Sequence, residues 1–372
     1  MDFSYSEEQN KIKELSSKIF QNNNEHELLR KIEESGSPFH KKLWKELASS
    51  GLLGTSFNKD LGGTDLGFVE INIILEQLGY HISNIPFIQT IVSTGMAINE
   101  FGSQKLRNFF IPKIISGELI LTTALNETGR LDLNKSDIEL KKINGVNRIS
   151  GKKYLVSYAE ESDFILIPYK DEENHSLCFI DTESKGLIFS KLETTTREPH
   201  SLLTLEEVEI DDNLILCSSS KTIDVLNWIN LRTITSICSL TIGVAQACLD
   251  MTVNYSKERK AFNRTIASFQ AVGHRAANSF IDLSCLRLVT EQAISLLEHG
   301  KEAAREVSIA KIWSGDVAHR TSYTAQHLHG GIGADKDYAL YRYCLWAKQL
   351  ELTQGSTTYH LNNLGSMIRN SN

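Results

Sequence analysis

Three clusters in this chain have residue types and spacing that could do chemistry. The first is Tyr255-Ser256-Lys257-Glu258-Arg259, followed by Phe262 and Asn263. A guanidinium offers planar, permanently charged donors that suit phosphate oxygens. The second is His327-Leu328-His329-Gly330-Gly331. Two glycines without Cβ atoms let a backbone come close to a bulky ligand. The third is Thr353-Gln354-Gly355-Ser356. Gln354 has only a backbone N–H and a neutral amide, with no basic lone pair at neutral pH. Taken alone, each cluster has a plainer reading: Arg259 as a solvated helix end, the glycine pair as a turn between helices, His327 as a helix-end histidine.

The elements that must position these residues fall into three stretches, an α+β order of helical, β and helical. Residues 1–118 read as an N-terminal helical domain. Ile12, Leu15 and Ile19 recur at helical spacing behind the start signal Ser6-Glu7-Glu8-Gln9. Residues 39–53, 68–78 and 90–101 continue it, and Leu61-Gly62-Gly63-Thr64-Asp65-Leu66-Gly67 is a glycine-rich loop. Residues 119–218 read as a central β domain. Its predicted strands lie near 119–125, 164–169, 177–180 and 202–210, another strand region opens at Gly151, and Asn144-Gly145 marks a turn. Residues 219–372 read as a C-terminal four-helix bundle, with helices over 235–258, 271–299, 301–327 and, with interruptions, 338–367.

Composition bounds the rest. The 372 residues are 41% hydrophobic and 23% charged, enough to bury a large core. A net charge of -7 gives no reason to expect nucleic acid or an anionic membrane surface as partner. The start has no basic segment followed by an apolar one, so no signal peptide is read. No apolar run reaches the roughly 20 residues that span a bilayer, and residues 234–247 suit a buried helix. Six scattered cysteines, with no CxxC pair and no zinc-like histidine spacing, are expected to be buried thiols in a reducing cytoplasm.

The three-part order and several motifs together resemble the acyl-CoA dehydrogenase family over almost the whole chain. The segment from Tyr255 through Arg259, Phe262-Asn263, Ile266 and Phe269-Gln270 is similar to the family's Y-x-x-x-R-x-x-F-G-x-x-I-x-x-F-Q. Leu328-His329-Gly330-Gly331-Ile332-Gly333 is similar to its L-H-G-G-x-G, and residues 3–9 look like its opening. The resemblance implies FAD, a tetramer that shares flavin sites between subunits, an acyl-CoA substrate and an electron-accepting flavoprotein. Arg259 would face the pyrophosphate of a neighbour's FAD and Phe262 its adenine end. Gly330 and Gly331 would admit the cofactor, and His327, where the family has Gln, could bond the adenine side. In the β domain Asn126 and Asp132 replace the family's Thr and Ser, and Ser157 keeps a hydroxyl where Leu155-Val156-Ser157 stands for W-I-T.

In the family, a glutamate before a Gly-Thr pair removes the α-proton of the thioester while hydride leaves for the flavin. Here Gln354 occupies that slot, before Gly355 and Ser356, the latter counted with the cofactor contacts. Members that carry the glutamate earlier place it before an arginine; the matching pair is Leu231-Arg232, so that slot is empty too. Glu351 lies nearly one turn away and reads as a packing or surface carboxylate. Features offered to a neighbour survive, and those needed for the chain's own site are altered. The chain also resembles the short, base-lacking subunits of heteromeric steroid-type acyl-CoA dehydrogenases, through residues 52–66, 76–79 and 124–132. The reading is a subunit of a homo- or hetero-tetramer that completes a catalytic partner's flavin site. The alternatives are a flavin monooxygenase or oxidase on the same fold and a non-catalytic assembly protein.

Overall fold

The computed structural model describes residues 4–127, 136–171, 174–218 and 220–370. Six helices come first: α1 (Glu7–Gln21), α2 (His26–Glu34), α3 (Lys41–Ser49), α4 (Phe68–His81), α5 (Met96–Phe101) and α6 (Gln104–Ile115). Eight strands follow: β1 (Leu121–Thr123), β2 (Glu139–Ile143), β3 (Val146–Ser157), β4 (Phe164–Asp171), β5 (Asn174–Asp181), β6 (Leu187–Leu192), β7 (His200–Glu209) and β8 (Ile215–Ser218). The chain ends in α7 (Thr222–Glu258), a small hairpin of β9 (Lys260–Ala261) and β10 (Arg264–Thr265), then α8 (Gln270–Glu298), α9 (Ala304–His329), α10 (Leu340–Leu352) and α11 (Thr357–Asn370). The helical, sheet, helical order read from the sequence is the order of these elements.

By contact the chain forms two compact units, Met1–Lys31 with Gly67–Ser83 and Ile234–Asn372, and Ile32–Leu66 with Asn84–Thr233. In the second unit the strands make one mixed sheet in the order β6-β7-β3-β2-β4-β5-β8, with β1 parallel to β4. Its core includes Ile149 and Val156 of β3, Ile165 and Ile167 of β4, and Leu203 and Val208 of β7. Asn144 and Gly145 join β2 to β3 with φ of 51° and 83°, the doubly left-handed pair a two-residue hairpin needs. Residues 90–101, predicted as one helix, divide into a π-helical stretch, Ile88–Gly95, and α5. Thr94 Oγ1 donates to the Gln89 and Thr90 carbonyls there, 3.0 and 2.9 Å away, which eases the wider turn.

In the first unit α1 starts at a capping box in which Ser6 and Gln9 satisfy each other's backbone N–H. Gly79 and Gly243 let α4 and α7 touch. A Cβ on Gly243 would lie 2.0 Å from the Glu76 carbonyl oxygen, and one on Gly79 would lie 2.1 Å from that of Leu240. Ile242, Leu249, Leu283, Leu286 and Val317 fill the space where α7, α8 and α9 meet. Helix α7 is long and apolar enough to cross a membrane, but 83% of its most apolar stretch is buried within the protein. The chain's last helical stretch, read with interruptions, is the pair α10 and α11, broken at 353–356.

Candidate functional site

The break between α10 and α11 carries Gln354 and is held from three sides. Lys311 on α9 is fully buried and donates to the last carbonyls of α10, Leu350 at 2.9 Å and Glu351 at 3.2 Å. A cation there satisfies orphan acceptors and complements the helix dipole. Thr353 Oγ1 donates to the Gln349 carbonyl at 2.8 Å. His360 on α11 bonds the Gln354 carbonyl through Nε2 at 2.9 Å, so that nitrogen carries the proton. Gln354 itself takes φ of 58° and Gly355 φ of 100°; a Cβ on Gly355 would lie 2.5 Å from the Tyr359 ring. Burial lowers the pKa of Lys311 to about 8, and burial together with the Lys311 charge lowers that of His360.

Neither Lys311 nor His360 was singled out from the sequence. The signal available for Lys311 was a lysine on the apolar stripe Val307, Ala310, Ser314, Val317 of α9. Glu351 pairs with Lys348 at 2.5 Å and lies 3.5 Å from His319. Ser356 Oγ accepts from the Tyr359 N–H at 3.4 Å, at the start of α11.

Arg259 and Phe262 sit at the mouth of the β9–β10 hairpin. The Arg259 carbonyl accepts from the Ile266 N–H at 2.8 Å, which closes the loop around Phe262 and Asn263. Both of those residues are left-handed, with φ of 53° and 64°, and Phe262 is 90% exposed. Asn263 is well chosen for that conformation; Phe262 is not, and the strain keeps a large ring facing solvent. Phe269 supports the hairpin from below, with the Arg264 guanidinium 4.0 Å over its ring. At the end of α9, Gly330 has φ of 63° and ψ of -140°, a combination reserved for glycine. Among the described residues, and apart from the adjoining backbone, no atom lies within 4 Å of the Cβ position of Gly330 or Gly331. The structure brings these two clusters together, because Tyr255 stacks on His329 with ring centres 4.4 Å apart. His327 is exposed and tilts against Tyr323, ring centres 6.2 Å apart.

Two of the sequence-predicted residues lie in the sheet unit. Bulges in β3 against β7 bring Ser157 opposite His200, and the Ser157 hydroxyl is 3.1 Å from His200 Nε2. The Asn126 carbonyl accepts from the Tyr154 N–H at 3.0 Å, and beside it Glu127 and Lys153 form a buried ion pair at 2.7 Å. Asp132 lies outside the described residues, as does Phe3 of the opening motif. Leu231 and Arg232 are on α7, with the Arg232 guanidinium 3.7 Å over the Trp228 ring. Among the described residues no group of three metal-ligating side chains comes together.

Two family models match this chain: the acyl-CoA dehydrogenase N-terminal domain over residues 6–118 and the acyl-CoA dehydrogenase C-terminal domain over residues 233–368. The chain belongs to the acyl-CoA dehydrogenase family. It is 29% identical over 344 residues to the acyl-CoA dehydrogenase FadE27 of Mycobacterium tuberculosis, covering 90% of each chain. Among solved structures it is similar to a chain of the ChsE4-ChsE5 complex from Mycobacterium tuberculosis, with TM-score 0.92, 29% identity and 99% of each chain covered. A chain of the Tcur3481-Tcur3483 steroid ACAD, solved as a point variant, matches with TM-score 0.90, 31% identity and 98% of each chain covered. Acyl-CoA dehydrogenases are flavoproteins that bind FAD and oxidise CH–CH bonds.

Proposed function

We propose that this chain is the base-lacking subunit of a heteromeric, FAD-dependent acyl-CoA dehydrogenase of the cytoplasm, and that it completes the flavin site of a catalytic partner. The observation that carries the reading is an amide at residue 354 on a firmly held loop. The backbone of Gln354 is pinned by His360 and flanked by the Lys311 cap. Glu351, close in sequence, is tied to Lys348. No carboxylate within that loop is positioned to take an α-proton, a role typically worth on the order of 10²–10⁴-fold in rate.

The residues at the hairpin and the glycine turn fit the adenosine pyrophosphate end of FAD. Arg259 supplies bidentate charge for the phosphates, exposed Phe262 a flat apolar surface, and Gly330-Gly331 the open space for close approach. Arg259, Phe262 and the glycine turn would bind and orient FAD, which would supply the hydride-accepting ring. On the sheet, the Ser157 hydroxyl is engaged with His200, which supports an altered site on this chain's own side. The likeness to chains from two-subunit assemblies, one of them a steroid ACAD, makes steroid side-chain CoA thioesters the first substrates to try.

The test is to purify the chain alone and co-expressed with a candidate catalytic subunit, then record flavin absorbance and acyl-CoA oxidation with an artificial electron acceptor. The single chain should be colourless and inactive, and the complex yellow and active. Strong acyl-CoA oxidation by the single chain would overturn the proposal. Reaction of the single chain with oxygen, given reduced flavin, would favour a monooxygenase. A colourless, inactive complex would favour an assembly protein.

A further inference from the structure

A cavity of about 210 Å³ lies within the first unit among the N-terminal segment, α4, α7 and α8, and none of the residues discussed above for the flavin lines it. It is smaller than the roughly 300–1,000 Å³ of drug-sized sites, so its ligand is small. Ile73, Ile242 and Ile294 give it apolar walls.

Its polar side is charged and unevenly matched. Arg287 directs Nη1 and Nη2 to the two carboxylate oxygens of Glu76, at 2.5 and 2.9 Å, a bidentate pair that neutralises itself. Glu291, one turn further along α8, lines the same cavity and is only half-buried. No described residue donates a hydrogen bond to its carboxylate or forms an ion pair with it; Arg287 and Lys13 act on it only as nearby charges. Burial and the Glu76 charge raise its pKa, the direction expected of a carboxylate short of counter-charge. Thr290, beside it, is fully buried, lines the cavity, and its hydroxyl has no hydrogen-bond partner among the described residues. Tyr5 closes the cavity from the N-terminal segment, which Gln9 fixes to Glu70 on α4 at 2.8 Å.

We propose that this cavity binds a small organic ammonium, with its charged nitrogen at the Glu291 carboxylate and its short apolar body against Ile73, Ile242 and Ile294. A carboxylate without a paired cation accepts what an ammonium donates, and a neutral or anionic group of the same size leaves that demand unmet.

The test is calorimetric titration of the purified full chain at neutral pH with n-butylamine, 1-butanol and butyrate, which share size and differ in charge. Butylammonium should bind about tenfold or more tightly than either of the others, and Glu291→Gln should remove that preference. Ile73→Phe, which fills the space, should block all three in a protein whose unfolding transition remains cooperative. Equal binding of amine and alcohol, an unchanged preference in Glu291→Gln, or no binding of any probe would each overturn the assignment. The readout is binding, so it stands apart from whether the chain takes part in acyl-CoA oxidation.

Discussion

The ring of Tyr255 lies on the imidazole of His329, centres 4.4 Å apart and planes inclined by 22°, and so joins the end of α7 to the end of α9. His329 is further fixed by the Ala325 carbonyl at 2.7 Å and the Tyr338 hydroxyl at 3.2 Å. One stack therefore sets the spacing between the Arg259 hairpin and the Gly330-Gly331 turn. Tyr255→Leu should cost about 1 kcal/mol of stability through the lost ring contact. It should also lower the flavin-to-protein absorbance ratio of the assembled complex. Tyr255→Phe keeps the ring and should keep both. A Tyr255→Leu complex with full flavin would mean that the two clusters do not act together.

Arg259→Met should leave stability within about 0.5 kcal/mol, since the side chain lies on the surface. In the complex it should weaken FAD by roughly tenfold to a hundredfold, the worth of one charge-assisted phosphate contact. Arg259→Lys should recover only part, because an ammonium lacks the planar fork. Flavin retention during gel filtration at rising salt distinguishes the three. Equal retention would remove Arg259 from the flavin.

Gln354→Glu places a carboxylate at the position that the proposed reading assigns to the family's base. The loop should accept it, since its hold comes from the backbone carbonyl of residue 354, Lys311 and Thr353 rather than from the amide. If the chain completes its partner's site, as proposed, the complex should gain less than about twofold in rate. A gain on the order of 10²-fold, the scale of a working base, would show that a second flavin and substrate are bound on this side. The measurement is the initial rate of acyl-CoA oxidation at saturating substrate.

Much of this was legible in the sequence because the informative residues are local. Asn144-Gly145 announces a hairpin from two residues, and the motifs at 255–270 and 328–333 carried the family resemblance that the family models match. Strands β2, β6 and β8 were not, since their residues are largely half-buried or exposed and carry weak periodicity, and the nine-residue α2, which buries only Leu29, was passed over as well. The supports of the 354 loop were hidden for a different reason. Lys311 reaches Leu350 from 39 positions away, and His360 acts on a backbone carbonyl that any residue type would offer. The stack of Tyr255 on His329 likewise depends on how two helix ends meet.

Lys311→Met should destabilise the first unit by about 1–3 kcal/mol, because two helix-end carbonyls lose their donor. The loss is offset in part by no longer burying a charge whose pKa sits at about 8. Hydrogen exchange should quicken at residues 353–356 before it quickens elsewhere in α10 and α11. Uniform exchange through both helices would mean that Lys311 stabilises the bundle generally and does not hold the loop.

His81 makes acid stability a further test. It is 6% exposed, stacks on Phe20 and meets Tyr80 edge-on, and its Nδ1 accepts from Asn24 at 3.2 Å. Burial lowers its pKa to about 4 from 6.5. As pH falls through 6.5 the unfolded chain takes a proton that the folded chain refuses until about 4, so stability drops across that window. His329 and His360 shift in the same direction, also by burial. Glu161, Asp163 and Glu291, all raised, oppose the trend at its acid end. The full shift would give His81 about 2 kcal/mol at pH 5, and solvent screening brings it to about 1–2 kcal/mol. The urea midpoint should therefore fall between pH 7 and pH 5, and His81→Gln should flatten that fall by this amount. An unchanged slope in the variant would mean that His81 is protonated in the folded protein at pH 5.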